Sequence, residues 1–182
     1  MKKNKLLIYA VIALAFGATG AWVGMKTKPE PAPVTATAAP GQSGPVDALL
    51  RQTMNDSAGV QQALAQWKGK ALVVNFWAPW CGPCVEEMPE LSHLQGDLSG
   101  KNIQIIGIGI DTPSNISEFA QKHKIAYPVY VAGISGTDLS RQLGNTQGGL
   151  PYTVLIGANG EVIKTYLGRL KFDELRADLA KL

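Results

Sequence analysis

Cysteine is nearly absent from the chain. Its 182 residues hold two, Cys81 and Cys84, in the spacing C-x-x-C. A bridge across so short a loop constrains little chain entropy, so a structural staple is a poor reading of the pair. Histidine is equally scarce, and His93 and His123 are the full complement. The resulting pattern, C-x₂-C-x₈-H-x₂₉-H, fits no compact zinc site, and each histidine reads as a surface residue. No G-x-G-x-x-G lies between a strand and a helix, so no dinucleotide or flavin site is expected. Basic clustering is missing from Val46 onward, where twelve basic residues face thirteen acidic ones. That near-neutral balance argues against a nucleic-acid surface. What the chain does have is apolar material: 46% of residues are hydrophobic against 17% charged, enough for a full core without disulfide staples.

The remaining basic residues cluster at the start. Lys2, Lys3, Lys5, Lys26 and Lys28 bracket Leu6 to Met25, a run of 20 residues without charge. As a helix this run spans about 30 Å, the thickness of a bilayer core. Three lysines before it and two after favour an N-inside orientation, which exports everything beyond Met25. Trp22 sits where an interfacial aromatic belongs. A cleaved signal peptide is the rival reading, with Ala18-Thr19-Gly20 as a small-residue cleavage site. The apolar run exceeds a usual signal core, which favours the anchor. Residues 1–25 are thus expected to be an anchor or signal peptide. Residues 26–45, rich in Pro, Ala, Thr and Gly, cannot bury enough surface to fold and read as a tether.

Residues 46–182 carry the folded domain. Val46 to Met54 is mixed and suggests no element. Asn55 to Gly59 has turn chemistry, and Val60 to Gln62 suits a short strand. Ala71 to Phe76 and Ile103 to Ile110 are apolar, β-branched runs of buried-strand length. A helix is expected from Pro83 to about Leu94, kinked at Pro89. Another should start at Asn115, with Glu118 completing a capping box, and run to about His123. Pro128 to Ala132 suits a strand, and Asp138 to Leu143 a short helix closed by Gly144. Asn159-Gly160 marks a hairpin joining Tyr152 to Ile156 with Glu161 to Tyr166. Phe172 to Leu182 has the spacing of a closing amphipathic helix. Strand and helix alternate and then end in a hairpin, which implies an α/β fold with a central mixed sheet flanked by helices.

Trp80-Cys81-Gly82-Pro83-Cys84 directly follows a buried strand and opens a helix. A helix N-terminus carries partial positive charge and unpaired N–H groups, which stabilise a thiolate. The thiolate is the form that attacks a disulfide. Cys81 should sit exposed before the first turn, and Cys84 shielded within it. Cys81 is then the attacking sulfur and Cys84 the one that resolves the mixed disulfide. Pro83 costs nothing in a first turn and stiffens the spacing. Trp80 should cover one side of the dithiol.

The stretch VVNFWAPWCGPCVEEMPEL resembles the thioredoxin superfamily, and more narrowly its membrane-anchored TlpA/ResA-like thiol-disulfide oxidoreductases. The resemblance covers about Leu49 to Leu182 and implies a thioredoxin-like fold. It implies that Pro151, in Gly149-Leu150-Pro151-Tyr152, is a cis-proline facing the dithiol. A cis bond there presents the Leu150 backbone to an extended substrate segment. It also implies a role for an acid three residues after the second cysteine. That residue is Glu87, with Glu86 and Glu90 as competitors on the same helix. A buried carboxylate at Glu87 would raise the thiol pKa values. Asn75 departs from thioredoxins proper, which place a buried aspartate five residues before the motif tryptophan. The departure suits the TlpA/ResA-like group. Pro89 matches a structural proline of thioredoxins.

The catalytic set expected from these readings is Cys81, Cys84, Pro151 and Glu87. Pro79, Trp80, Gly82, Pro83 and Leu150 are expected to meet the substrate. The dithiol itself serves as redox cofactor, with no other cofactor and no metal. The resemblance implies a reductant of exported protein disulfides, in apocytochrome c or a copper-centre protein, at the periplasmic face of the inner membrane. A membrane thiol conduit would recharge it, and a tethered monomer is expected. Two rivals stand beside this: a disulfide-forming oxidant, and a copper or other soft-metal carrier using the two thiolates. The Gly-Pro dipeptide and the lack of an inserted helical domain disfavour the oxidant. A peroxidase reading is weaker, because no peroxidatic Cys sits in a Thr-containing loop.

Overall fold

The computed structural model describes residues 44–182. The proposed anchor and most of the proposed tether lie outside the described residues. Among the described residues no helix is long and apolar enough to cross a membrane.

In chain order the elements are α1 (Pro45–Leu50), β1 (Thr53–Asp56), β2 (Gln61–Ala63), a 3-10 turn (Leu64–Trp67), β3 (Ala71–Trp77), α2 (Gly82–Asp97), β4 (Ile103–Gly109), α3 (Pro113–Lys122), β5 (Val129–Val131), α4 (Ser135–Gln142), β6 (Tyr152–Ile156), β7 (Val162–Leu167) and α5 (Phe172–Leu179). The strands form one sheet in the order β2-β1-β5-β4-β3-β6-β7. β3 runs parallel to β4, and β4 to β5; the other neighbours are antiparallel. The sheet is therefore mixed, as the alternation of elements implies.

β3 lies at the centre and is buried along its whole length. Its side chains alternate between two apolar layers, as the two-residue period of a strand requires. Ala71, Val73 and Trp77 pack with Met88 and Leu91 of α2, Ile116 of α3 and Leu175 of α5. Leu72, Val74 and Phe76 pack on the other face with Leu49 of α1, Leu64 and Leu139 of α4. A strand covered on both sides has no room for polar alternation, which is why the run is apolar but for Asn75, whose amide is hydrogen-bonded.

Several boundaries differ from the sequence reading. The mixed segment after Val46 is α1, whose Val46, Leu49 and Leu50 are buried. Asn55 and Asp56 belong to β1 rather than to the turn; Asp56 Oδ1 accepts the N–H groups of Ala58 and Val60 and so closes the hairpin. The N-cap of α3 lies three residues before Asn115, at Thr112. Thr112 Oγ1 accepts the Asn115 N–H and Pro113 occupies the first turn, while the Asn115 amide donates to Asp111. α4 also starts earlier, at Ser135, and α5 ends at Leu179. Pro89 lies within α2, exposed to solvent, and has no N–H to offer the Val85 carbonyl.

Gly136, near the start of α4, tests the packing that seats this helix. A Cβ there would lie 2.8 Å from Ile110 Cγ1 and 2.9 Å from Ala132 Cβ. A Gly→Ala change inside a helix ordinarily gains up to about 1 kcal/mol. Overpacking costs about 1–3 kcal/mol and should outweigh it here. Gly136→Ala is expected to lower the urea midpoint without changing the slope, and a raised midpoint would refute the close fit.

Candidate functional site

β3 delivers the chain to the dithiol. After Trp77 a tight turn forms, in which the Cys81 N–H donates to the Ala78 carbonyl at 3.1 Å. Cys81 is the N-cap of α2, with extended backbone, and its Sγ accepts the Cys84 N–H at 3.3 Å. The two sulfurs form a disulfide. Cys84 is fully buried and Cys81 is 6% exposed, so Cys81 is the more accessible sulfur but not the open one expected. In the oxidised pair its sulfur is drawn into the first turn, against the Cys84 amide. Gly82 and Pro83 next to it are exposed. Trp80, next to Cys81 in the chain, is 69% exposed.

The Leu150–Pro151 peptide bond is cis. β6 starts immediately after it and pairs with β3, Tyr152 opposite Phe76, which brings Pro151 to the strand end that carries the motif. The loop is held from three sides. The Asn145 amide donates to the Gly149 carbonyl, the Tyr152 hydroxyl to the Leu143 carbonyl, and the Gly168 N–H to the Pro151 carbonyl. Leu150 is half-buried and packs against both apolar layers.

Of the three neighbouring acids on α2, the fold buries one. Glu86 is exposed and pairs with Arg169 at 2.7 Å, and Glu90 is exposed. Glu87 is buried. Its Oε1 accepts the Asn75 amide at 2.8 Å and its Oε2 the Leu170 N–H at 2.9 Å. Burial pushes its carboxyl up to about 7, against the lowering effect of both hydrogen bonds and of Arg169. The Asn75 amide also donates to Thr153 Oγ1, while Asn75 Oδ1 has no partner. Burial, with the Glu87 charge behind it, holds the Tyr127 hydroxyl well above the usual phenol range. Among the described residues no three His, Cys, Asp or Glu side chains converge as metal ligands would.

Beside the motif lies a feature that sequence reasoning reached only through Pro79. A groove of about 410 Å³ runs between the start of α2 and the outer face of α3, lined by Pro79, Val85, Glu118, Phe119, Lys122 and His123. The available signal was Phe119 and His123, four residues apart and hence on one helix face. Their rings stack at 4.1 Å, 20° from parallel.

Glu87 makes stability depend on pH in a definite direction. Its folded pKa lies above its ordinary value of 4.5, so between about 4.5 and 7 the unfolded chain binds fewer protons than the native one. The oxidised protein should therefore lose about 3 kcal/mol of stability as pH rises through that window, and little more beyond it. Glu87→Gln should flatten the window, because the amide has no carboxyl to titrate, while its carbonyl oxygen can still accept a hydrogen bond. Urea denaturation at pH 4.5, 6 and 8 checks this; equal pH dependence in both proteins would rule it out.

Comparison with known proteins agrees with this geometry. The Redoxin family matches residues 33–179. Thiol-disulfide oxidoreductase ResA of Bacillus thuringiensis subsp. konkukian is 30% identical over 100% of this chain and 99% of its own. ResA of Geobacillus thermodenitrificans is 28% identical over 71% of this chain and 72% of its own. Among solved structures, a secreted Mycobacterium tuberculosis disulfide oxidoreductase matches with TM-score 0.63 and 23% identity, over 75% of this chain and 99% of that one. A thiol-disulfide oxidoreductase from Bacteroides fragilis matches with TM-score 0.61 and 20% identity, over 71% and 95%. At those identities the structures speak for the thioredoxin-like fold, while the family match and the ResA relatives speak for the chemistry. The chain belongs to the Redoxin family, as a TlpA/ResA-like thiol-disulfide oxidoreductase of the thioredoxin superfamily.

Proposed function

We propose that this oxidoreductase works as a reductant of disulfides in exported proteins, at the periplasmic face of the inner membrane, anchored through residues 6–25. The observation that carries the direction of flow is the buried carboxyl of Glu87 one turn after Cys84. Residues three apart on a helix have Cβ atoms about 5–6 Å from each other. A carboxylate at that range raises thiol pKa values and disfavours the thiolate. A strong oxidant needs the opposite, a reduced form that is stabilised. Glu87 with its pKa near 7 also offers a place for a proton that Asn75, which cannot take one up, does not.

Exchange then proceeds in two balanced steps. The Cys81 thiolate attacks one sulfur of the substrate disulfide, forming a mixed disulfide and releasing the other sulfur as a thiolate. Cys84, deprotonated with Glu87 or water as acceptor, attacks Cys81 Sγ and expels the second substrate thiolate. The protein is left oxidised, two electrons having passed to the substrate. The cis-Pro151 loop offers the Leu150 backbone to the extended segment under attack. Pro79, Trp80, Gly82 and Pro83 form the exposed or half-exposed rim around it. The oxidised pair is recharged by a membrane thiol conduit, since thioredoxin reductase has no access outside the cytosol. Export is supported by the lysine-flanked uncharged run, and the whole-length alignment with ResA includes that run. Apocytochrome c and copper-centre proteins are the substrates the resemblance points to, with the chain acting as a tethered monomer.

The reduction potential of the detergent-solubilised chain in thiol buffers tests the direction. A value near or below about −220 mV is expected. A value above about −150 mV would make the protein a disulfide donor instead. Glu87→Gln should raise the potential at pH 8 by about 20–30 mV, the equivalent of roughly 1 kcal/mol. Stoichiometric copper on the reduced chain as isolated would point to the metal carrier.

A further inference from the structure

We propose that the groove between α2 and α3 is a second polypeptide subsite, which takes an apolar side chain of the disulfide-bearing partner a few residues from its reacting cysteine. The inference rests on the oxidoreductase reading only in taking a protein disulfide as substrate; it holds whichever way the electrons flow.

Position is the first argument. Pro79 lies two residues before Cys81, and Val85 directly follows Cys84, so the groove begins where the dithiol ends. In the sheet β3 has β4 on one side and β6 on the other. α3, which follows β4, and Pro151, which precedes β6, therefore flank the motif on opposite sides. A partner held at the cis-proline on one side of its cysteine has the rest of its chain to place on the other. The occupant is set by the chemistry: any mixed disulfide on Cys81 ties a polypeptide to this edge. Extended chain covers about 3.3–3.6 Å per residue, so residues two or three from the partner's cysteine reach about 7–11 Å from it.

The lining is the second argument. Ile116 and Ala120 are the residues of α3 that the core buries. His123 lies outside that stripe, and Phe119 packs at its edge against the core, leaving one side toward the groove. Phe119 is half-buried, backed by Trp77 at 5.0 Å between ring centres and faced by the stacked His123 ring. Val85 and Pro79, also half-buried, form the opposing wall. A rigid aromatic face opposite two small apolar groups suits a flat or branched apolar side chain. About 410 Å³ is at the small end of the range for ligand sites, enough for one large side chain with its adjoining backbone. Glu118 and Lys122 stand at the rim, exposed and without an ion-pair partner among the described residues, where the polar backbone of an incoming segment would pass.

The test uses disulfide-linked dimers of a twelve-residue Ser/Gly peptide with one central cysteine. A single Phe is scanned from three residues before the cysteine to three after it. The readout is the ratio of kcat/KM for each Phe peptide to that of the parent, measured with the reduced chain and, in reverse, with the oxidised chain and reduced peptides. At one or two positions the ratio should reach about tenfold in both directions, a gain typical of partial aromatic burial. Val85→Ser and Phe119→Ser should each bring it below about threefold. Any change in sulfur reactivity cancels in the ratio, and Val85→Ser leaves the Trp77 contact in place if Phe119→Ser folds poorly. Ratios within twofold at every position, or a preference that survives both variants, would overturn the subsite. A high measured potential would overturn the reductant reading and leave these ratios unchanged.

Discussion

Glu87 joins α2 to β3 through the Asn75 amide and to the segment entering α5 through the Leu170 N–H, and it does so from a buried position beside the dithiol. Three parts of the chain meet at this one carboxyl. β3 carries the motif out of the core, Cys81 caps the N-terminus of α2, and Arg169 and Leu170 reach back to Glu86 and Glu87 on that helix. A buried carboxylate is costly unless it is hydrogen-bonded, and here each oxygen has a donor. The cost that remains appears as the raised pKa. In the proposed mechanism the same group orders the site and holds a proton near it.

Around this centre the chemistry is divided among elements that the sheet order brings together. In the proposed exchange the helix start polarises the sulfurs, with Cys81, the less buried, meeting the substrate and Cys84 resolving the mixed disulfide. The cis-proline loop is held by Asn145, Tyr152 and Gly168 rather than by the motif itself, so substrate backbone and substrate sulfur meet surfaces that are positioned independently. The groove on the α3 side extends that division to a partner's side chains.

What the sequence made legible follows from how local each signal is. The β3 and β4 runs are readable because both faces of a central strand are buried and all but Asn75 and Gln104 are apolar or small. The W-C-G-P-C motif is readable because strand, turn and helix start are contiguous. Glu87 was harder to single out: Glu86, Glu87 and Glu90 share one helix, and only Asn75 and Leu170, distant in the chain, distinguish them. The start of α3 was misplaced because Thr112 and Asn115 each offer a capping side chain, and the proline between them decides for Thr112. The groove stayed hidden because its two walls come from α2 and α3, which only the fold brings together.

The proton affinity of Glu87 in the oxidised protein bears most directly on its place at the centre of the site. Carbon-13 NMR of its side-chain carboxyl, followed from pH 3 to 9, measures it. A midpoint near 7 is expected. A midpoint below about 5, the ordinary carboxylate range, would mean that the carboxyl is ionised throughout the working range and is neither costly nor a proton store, contradicting its role at the centre of the site.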